Sequence, residues 1–300
     1  MTNSYEKTVF LISKPLQLLI SLSISEQIEC KNKPEFIIIN SFNKAEKVAF
    51  NFSKLYSNTH KVNYFRARNE ALAHIRKCRP NNLFIDSDLG FQNYLSLARI
   101  KINNIKVKIN VYEEGMGTYR TDCYSGFKKK IFLALGIGVY FGTSNLVNSI
   151  YVYEPDEYLK KIPNNINKVQ LIRKSLANHL SENSTKIKKL FDFHGINRKQ
   201  TDLKKCRLYL SNWGMHNEDV LDLSTEKEDL FVKPHPHIKS YTSISNSITI
   251  DPSIPAELII MELITIYDHI KIFDHNSSTR RYIKNNKVEF ITTNAKKDLT

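Results

Sequence analysis

Along the first half of the chain, short runs of apolar and β-branched residues alternate with stretches whose apolar positions recur at helical spacing. Thr8–Ile12, Phe36–Ile39, Lys61–Phe65, Asn82–Ile85 and Ile105–Tyr112 read as strands. Between them lie helical candidates: a segment opened by Pro15 and carried by Leu16, Leu19, Ile20 and Ile24, then Lys44–Tyr56, Asn69–Arg76 and Phe91–Ile100. Strands spaced by helices predict a parallel, doubly wound sheet. After a strand at Ser149–Tyr153, the polar, proline-marked stretch from Glu154-Pro155 to Asn165 is the expected domain boundary. The second half repeats the logic. Helices are expected at Val169–Leu180 and Thr185–Phe193, and strands at Arg207–Leu210, Leu230–Lys233, Ile270–Phe273 and Val288–Thr292. Pro255 opens a further helix with Glu257 in its first turn and Leu258, Ile259 and Leu263 behind it. The expectation is therefore α/β: two Rossmann-like doubly wound domains, 1–160 and 161–300, facing a cleft.

Composition narrows the class without changing that picture. A chain of 300 residues with 41% hydrophobic and 25% charged positions has enough apolar material for full cores. Four cysteines, Cys30, Cys78, Cys123 and Cys206, form no C-x-x-C pair, which favours a reducing compartment over a disulfide framework. The N-terminus lacks a basic n-region and a cleavage site, and the longest apolar stretch, Ile131 to Phe141, is shorter than the ~20 residues a bilayer span needs. A cytoplasmic location is expected, with peripheral docking on the inner face of the membrane through basic surface. The 44 basic residues against 30 acidic ones give a net charge of +14 and call for an anionic partner. They are scattered, apart from short clusters such as Lys128-Lys129-Lys130, and do not interleave with aromatics on one stripe, so nucleic acid is not expected among the partners.

In open α/β sheets ligands sit beyond the carboxyl ends of the strands, and three of those ends carry polar groups able to do chemistry. Ile105–Tyr112 runs into Glu113-Glu114-Gly115, a carboxylate pair before a flexible residue; either acid is placed to take a proton from an attacking hydroxyl, or to solvate a turn. Leu230–Lys233 runs into Pro234-His235-Pro236-His237. The flanking prolines fix the imidazole of His235, Lys233 adds a cation, and His237 is equally placed. Ile270–Phe273 runs into Asp274-His275-Asn276-Ser277-Ser278, where the serine pair precedes a helical pattern and reads either as a phosphate site or as an ordinary N-cap. Glu257 fits a ribose ligand or a carboxylate complementing its helix dipole. Trp213 follows a strand end and fits the cleft or the core. Asp86-Ser87-Asp88 has the D-x-D spacing of metal-dependent sugar transferases, and Gly136-Ile137-Gly138 lacks the third glycine of a dinucleotide fingerprint.

In that order, Glu113-Glu114-Gly115, His235-Pro236 and Ser277-Ser278 resemble the D/E-D/E-G, HP and serine-pair motifs of bacterial sialyltransferases of the lipooligosaccharide and polysialyltransferase type. Pro255-Ala256-Glu257 resembles the family's Pro-x-Glu segment. Phe10 to Gln17 resembles its first strand and turn, with Lys14 in place of a threonine. The resemblance spans residues 8 to 285. It implies a GT-B fold and an inverting, metal-independent transfer of sialic acid from CMP-sialic acid to a bacterial surface glycan, with no cofactor beyond the donor substrate. It also implies Glu113 or Glu114 as base, His235 at the departing CMP, Ser277 and Ser278 on its phosphate, and Lys233, Pro236 and Glu257 around the nucleotide. Asp86-Ser87-Asp88 is then not a metal site.

Overall fold

The computed structural model describes residues 6–28, 30, 32–196, 204–212, 228–238 and 247–293. These fall into two compact units, Met1–Ser41 with Ala45–Ser175, and Phe42–Lys44 with Leu176–Thr300. The division expected at residue 160 lies inside the first unit.

The first unit alternates strand and helix in the order β1 (Thr8–Ile12), α1 (Pro15–Gln27), β2 (Glu35–Ile39), α2 (Ala45–Leu55), β3 (Lys61–Phe65), α3 (Arg68–Cys78), β4 (Asn82–Ile85), α4 (Gly90–Asn103) and β5 (Lys108–Tyr112). Helix α5 (Gly126–Ala134), β6 (Ser149–Val152), α6 (Pro155–Lys161) and β7 (Val169–Leu171) complete it. All seven strands pair in parallel in the order β3-β2-β1-β4-β5-β6-β7. Strand periodicity sends alternate side chains to opposite faces. One face is aromatic: Phe10 stacks on Phe36 and on Phe84, and Phe84 meets Tyr151. The other is aliphatic, with Val9, Leu11, Ile37, Leu83, Ile109 and Val111 packed with Ile75, Leu97 and Ile100 of α3 and α4. β1, β2, β4 and β5 are buried on both faces and read as near-continuous apolar runs, as a covered parallel sheet requires.

The second unit contains α7 (Leu176–Glu182), α8 (Ser184–Leu190), β8 (Lys205–Leu210), β9 (Asp229–Lys233), β10 (Ile248–Thr249), α9 (Ala256–Ile266), β11 (His269–Asp274), α10 (Thr279–Tyr282) and β12 (Val288–Thr292). Its five strands are also parallel, in the order β10-β9-β8-β11-β12. Both sheets are α/β and doubly wound in strand order, with the order reversing between β1 and β4 in the first and between β8 and β11 in the second. The carboxyl ends at those reversals are where such sheets hold ligands.

Two expectations fail locally. The stretch Glu154–Asn165 is no linker: it forms α6, with Pro155 in its first turn, Asp156 and Glu157 beside it and Lys160 and Lys161 at the end. The helix expected over Val169–Leu180 is instead the edge strand β7 followed by α7. Gln170 and Leu171 of this strand are exposed, so no alternation marks it in the sequence.

Candidate functional site

At the carboxyl edge of the first sheet, the period of two on β5 separates the neighbouring glutamates. Glu113 continues the aliphatic face of Val111 and is fully buried. Its Oε2 accepts the Tyr119 hydroxyl at 2.5 Å and the Tyr153 backbone N–H at 2.8 Å. Glu114 continues the other face, and its side chain is 18% exposed. Its Oε2 accepts from Lys14 Nζ at 2.9 Å and Gln17 Nε2 at 3.3 Å. Burial raises the Glu114 carboxyl above the ordinary glutamate value, with Lys14 opposing and the neighbouring Asp86 charge assisting. Gly115 then turns the chain at φ 109° and ψ −149°, a region closed to other residues. At Gly117 an added Cβ would come within 2.9 Å of Glu114 Oε1.

The network extends to the sheet reversal. Ser13, after β1, places its Oγ 2.7 Å from Asp86 Oδ2 and 2.8 Å from Gln17 Oε1, and its N–H donates to the same Gln17 oxygen at 2.8 Å. Arg68 at the start of α3 takes Asp86 with both terminal nitrogens, at 2.9 and 3.2 Å. Burial works to raise Asp86, and the Arg68 charge with the Arg68 and Ser13 hydrogen bonds brings it below the ordinary value. Asp88 points elsewhere: it is fully buried and accepts the Gly142 and Ser144 N–H groups, each at 2.8 Å, while burial pushes it up to about 6. The two aspartates of the D-x-D spacing therefore serve separate networks. Among the described residues, the one group of metal-type donors lying within 4.8 Å of one another is Glu35, His74 and Cys78. Glu35 opens β2, so this group sits at the amino end of the parallel sheet, opposite Glu114, and the Lys7 ammonium already occupies the carboxylate at 2.8 Å.

At the carboxyl edge of the second sheet, β9 delivers the His-Pro loop. The His235 backbone N–H donates to Ser211 Oγ, beyond β8, at 2.8 Å, and the Ile238 N–H closes a turn on the His235 carbonyl at 2.9 Å. The His237 N–H reaches His235 Nδ1 at 3.4 Å. The two rings lie 5.1 Å apart. Lys233 turns inward at 4% exposure, donating to the carbonyls of Pro234 at 2.6 Å and Pro252 at 3.0 Å. Burial lowers its ammonium to about 7, against the Glu257 and Asp251 charges. Glu257, 3% exposed in α9, accepts the Thr279 hydroxyl at 3.0 Å, and burial raises its carboxyl. Thr279 in turn lies 2.9 Å from the Ser277 hydroxyl. Lys233 and Glu257 thus brace the loops from within, whereas the sequence suggested contact with the nucleotide.

Ser277 and Ser278 precede α10, but that helix is a single turn, and Ser278 makes no side-chain capping bond. A turn this short carries little macrodipole, so the dipole expected of the serine pair is largely missing. Trp213 lies outside the described residues. Sequence reading passed over Gln17, Arg68, Ser211 and Thr279 as site residues. Ser211 directly follows β8 and Arg68 opens the helix just after β3, a signal available once strand order is known, whereas Gln17 and Thr279 each lie inside the helix that follows a strand. No helix among the described residues is long and apolar enough to cross a membrane.

Among solved structures, similarity is found to a UDP-GlcNAc 2-epimerase from Neisseria meningitidis bound to UDP-GlcNAc, at 14% identity and TM-score 0.47, covering 90% of this chain and 77% of that one. Similarity also extends to the wall teichoic acid polymerase TagF, at 11% identity and TM-score 0.45, covering 88% and 70%. The glycosyltransferase SnogD from Streptomyces nogalater is similar at 9% identity and TM-score 0.42, covering 92% and 80%. No curated protein sequence matches. The family described as Alpha-2,8-polysialyltransferase (POLYST) matches residues 3–266, which takes in both units as far as the end of α9. The chain therefore belongs to the alpha-2,8-polysialyltransferase family and is an enzyme, a glycosyltransferase of the sialyltransferase type.

Proposed function

We propose that this enzyme moves sialic acid from CMP-sialic acid to a hydroxyl of a bacterial cell-surface glycan, with inversion and without a metal ion. The observation that carries the reading is the Glu114 cluster: a mostly buried carboxylate at a strand's carboxyl end, raised in pKa, held by Lys14 and Gln17. A carboxylate tuned toward neutrality and still reachable from solvent suits general base work. Glu114 takes the proton as the acceptor oxygen bonds to the anomeric carbon, and the bond from that carbon to the CMP phosphate oxygen breaks. Glu113, with its carboxylate bonded to Tyr119 and Tyr153, is structural.

The departing phosphate gathers charge, and the His235 imidazole is the donor offered to it. Ser277 and Ser278 supply hydroxyls for the same oxygens. Lys233, Glu257 and Thr279 fix the loops that present these groups, and Pro236 with His237 sets the ring of His235.

The test is product analysis with CMP-sialic acid, CMP-Kdo and UDP-sugars as donors, galactose-terminated and sialylated glycans as acceptors, and EDTA present or absent. Sialylated product formed at the same rate in EDTA, with an inverted anomeric centre, is expected. Turnover of another donor in preference to CMP-sialic acid, or loss of activity in EDTA, would sink the reading.

A further inference from the structure

Helix α5, Gly126–Ala134, breaks the rule that a surface helix buries its apolar face, because none of its residues is buried. Phe127 is 77% exposed, Ile131 39%, Leu133 53% and Leu135, just past the last turn, 56%. Phe127, Ile131, Ala134 and Leu135 recur at i, i+4, i+7 and i+8, so they share one face, and Lys128 and Lys130 flank it on either side. The helix is attached by its other side. Lys129 and Phe132 are its half-buried residues, and their partners are within the unit: Lys129 Nζ lies over the Tyr140 ring at 5.0 Å, Phe132 meets Tyr124 at 5.2 Å, and the exposed Lys128 places its Nζ 5.2 Å and 5.5 Å from the Tyr124 and Phe132 ring centroids. An apolar stripe directed outward between lysines is the inverse of a core-facing pattern. It has the composition of a helix lying in a lipid interface.

We propose that α5 seats the protein on an anionic bilayer surface, with Phe127, Ile131 and Leu135 entering the headgroup boundary and Lys128 and Lys130 meeting the lipid phosphates. Charge selects this occupant. The chain carries +14, so a second copy would bring lysines against lysines, and a polyanionic glycan would leave the aliphatic stripe in water. This inference is independent of the donor and of the catalytic roles assigned above.

Cosedimentation of the full chain with vesicles of phosphatidylglycerol and phosphatidylcholine in equal parts, against pure phosphatidylcholine, measures it. The protein is expected to partition onto the anionic vesicles and to leave them as salt rises. Phe127→Ser with Leu135→Ser should lower the partition coefficient by about tenfold or more, and Lys128→Gln with Lys130→Gln by about tenfold, because each lysine adds its own attraction. All four residues are exposed; the Phe127/Leu135 variant should match the parent in circular dichroism and Tm, while the lysine variant also loses the Lys128 contacts with the Tyr124 and Phe132 rings. The proposal is overturned by equal partitioning of the parent and the Phe127/Leu135 variant, or by no preference for anionic vesicles. It also falls if sedimentation velocity shows a dimer that this variant dissolves while vesicle binding is unchanged.

Discussion

At the carboxyl edge of the first sheet a carboxylate stays at the rim beside a cation, Glu114 with Lys14, above a second pair in which the half-buried Arg68 holds the buried Asp86. At the corresponding edge of the second sheet the charged residues, Lys233 and Glu257, are drawn inside, and an imidazole and hydroxyls are left at the loops. The same strand-end position is thus furnished in two ways. Partial burial beside a cation keeps a carboxylate adjustable, which suits a group that must accept a proton. A buried lysine bonded to two loop carbonyls fixes backbone, which suits a group that must present a donor at a set point.

Four substitutions probe one side or the other of this contrast, and a fifth checks the glutamate assignment. Glu114→Gln should lower kcat/KM by about 10²–10⁴-fold. Because burial disfavours the ionised form, its Tm should not fall; a large drop in Tm would instead make Glu114 structural. His235→Ala should cost about 10²–10³-fold, mainly in kcat, if its imidazole meets charge that grows only as CMP departs. An effect confined to KM would shift that duty to Ser277 and Ser278. Glu113→Ala removes the buried acceptor of the Tyr119 hydroxyl and of the Tyr153 backbone N–H, and denaturant unfolding should show a loss of about 2–4 kcal/mol. The protein that remains folded should keep its turnover. Gly117→Ala pushes on the carboxylate end of Glu114 and not on backbone, so activity should drop about tenfold while Tm stays near the parent's. The smallest change is expected of Lys14→Met. Lys14 opposes the rise in the Glu114 pKa through its charge and its hydrogen bond. Removing it should move the acidic limb of the kcat/KM profile to higher pH, lowering activity a few-fold near neutrality. A limb that moves to lower pH would exclude Glu114 as the titrating base.

Much of the fold was legible because runs of apolar and β-branched residues mark strands whether or not both faces are covered. Thr8–Ile12 and Asn82–Ile85, which are buried, and the edge strands Lys61–Phe65 and Val288–Thr292, which are not, all fall where those runs place them. What escaped has a physical reason in each case. β7 is an edge strand with its second and third residues in water, so nothing alternates. Helix α5 carries its apolar residues outward, which no periodicity distinguishes from a core-facing pattern. α6 carries readable signals, Pro155 in the first turn followed by two acids, yet a polar stretch marked by prolines reads equally as a boundary. The strand-end rule placed Glu113, Glu114 and His235 beyond the carboxyl ends of β5 and β9, where the structure has them. It could not show which carboxylate is solvated or that Lys233 turns inward, since those depend on which side of the chain the neighbours occupy.

The opposed directions of Glu113 and Glu114 also bear on how this protein can diverge. Substitutions along β5 can be absorbed one at a time, but a single residue inserted or deleted before the pair would exchange the two carboxylates' surroundings. The tyrosine bonds would then go to the acid meant for Lys14 and Gln17. Lineages descending from this chain should therefore drift freely in the loop before β5 and hold the spacing from Lys108 to Gly115 constant.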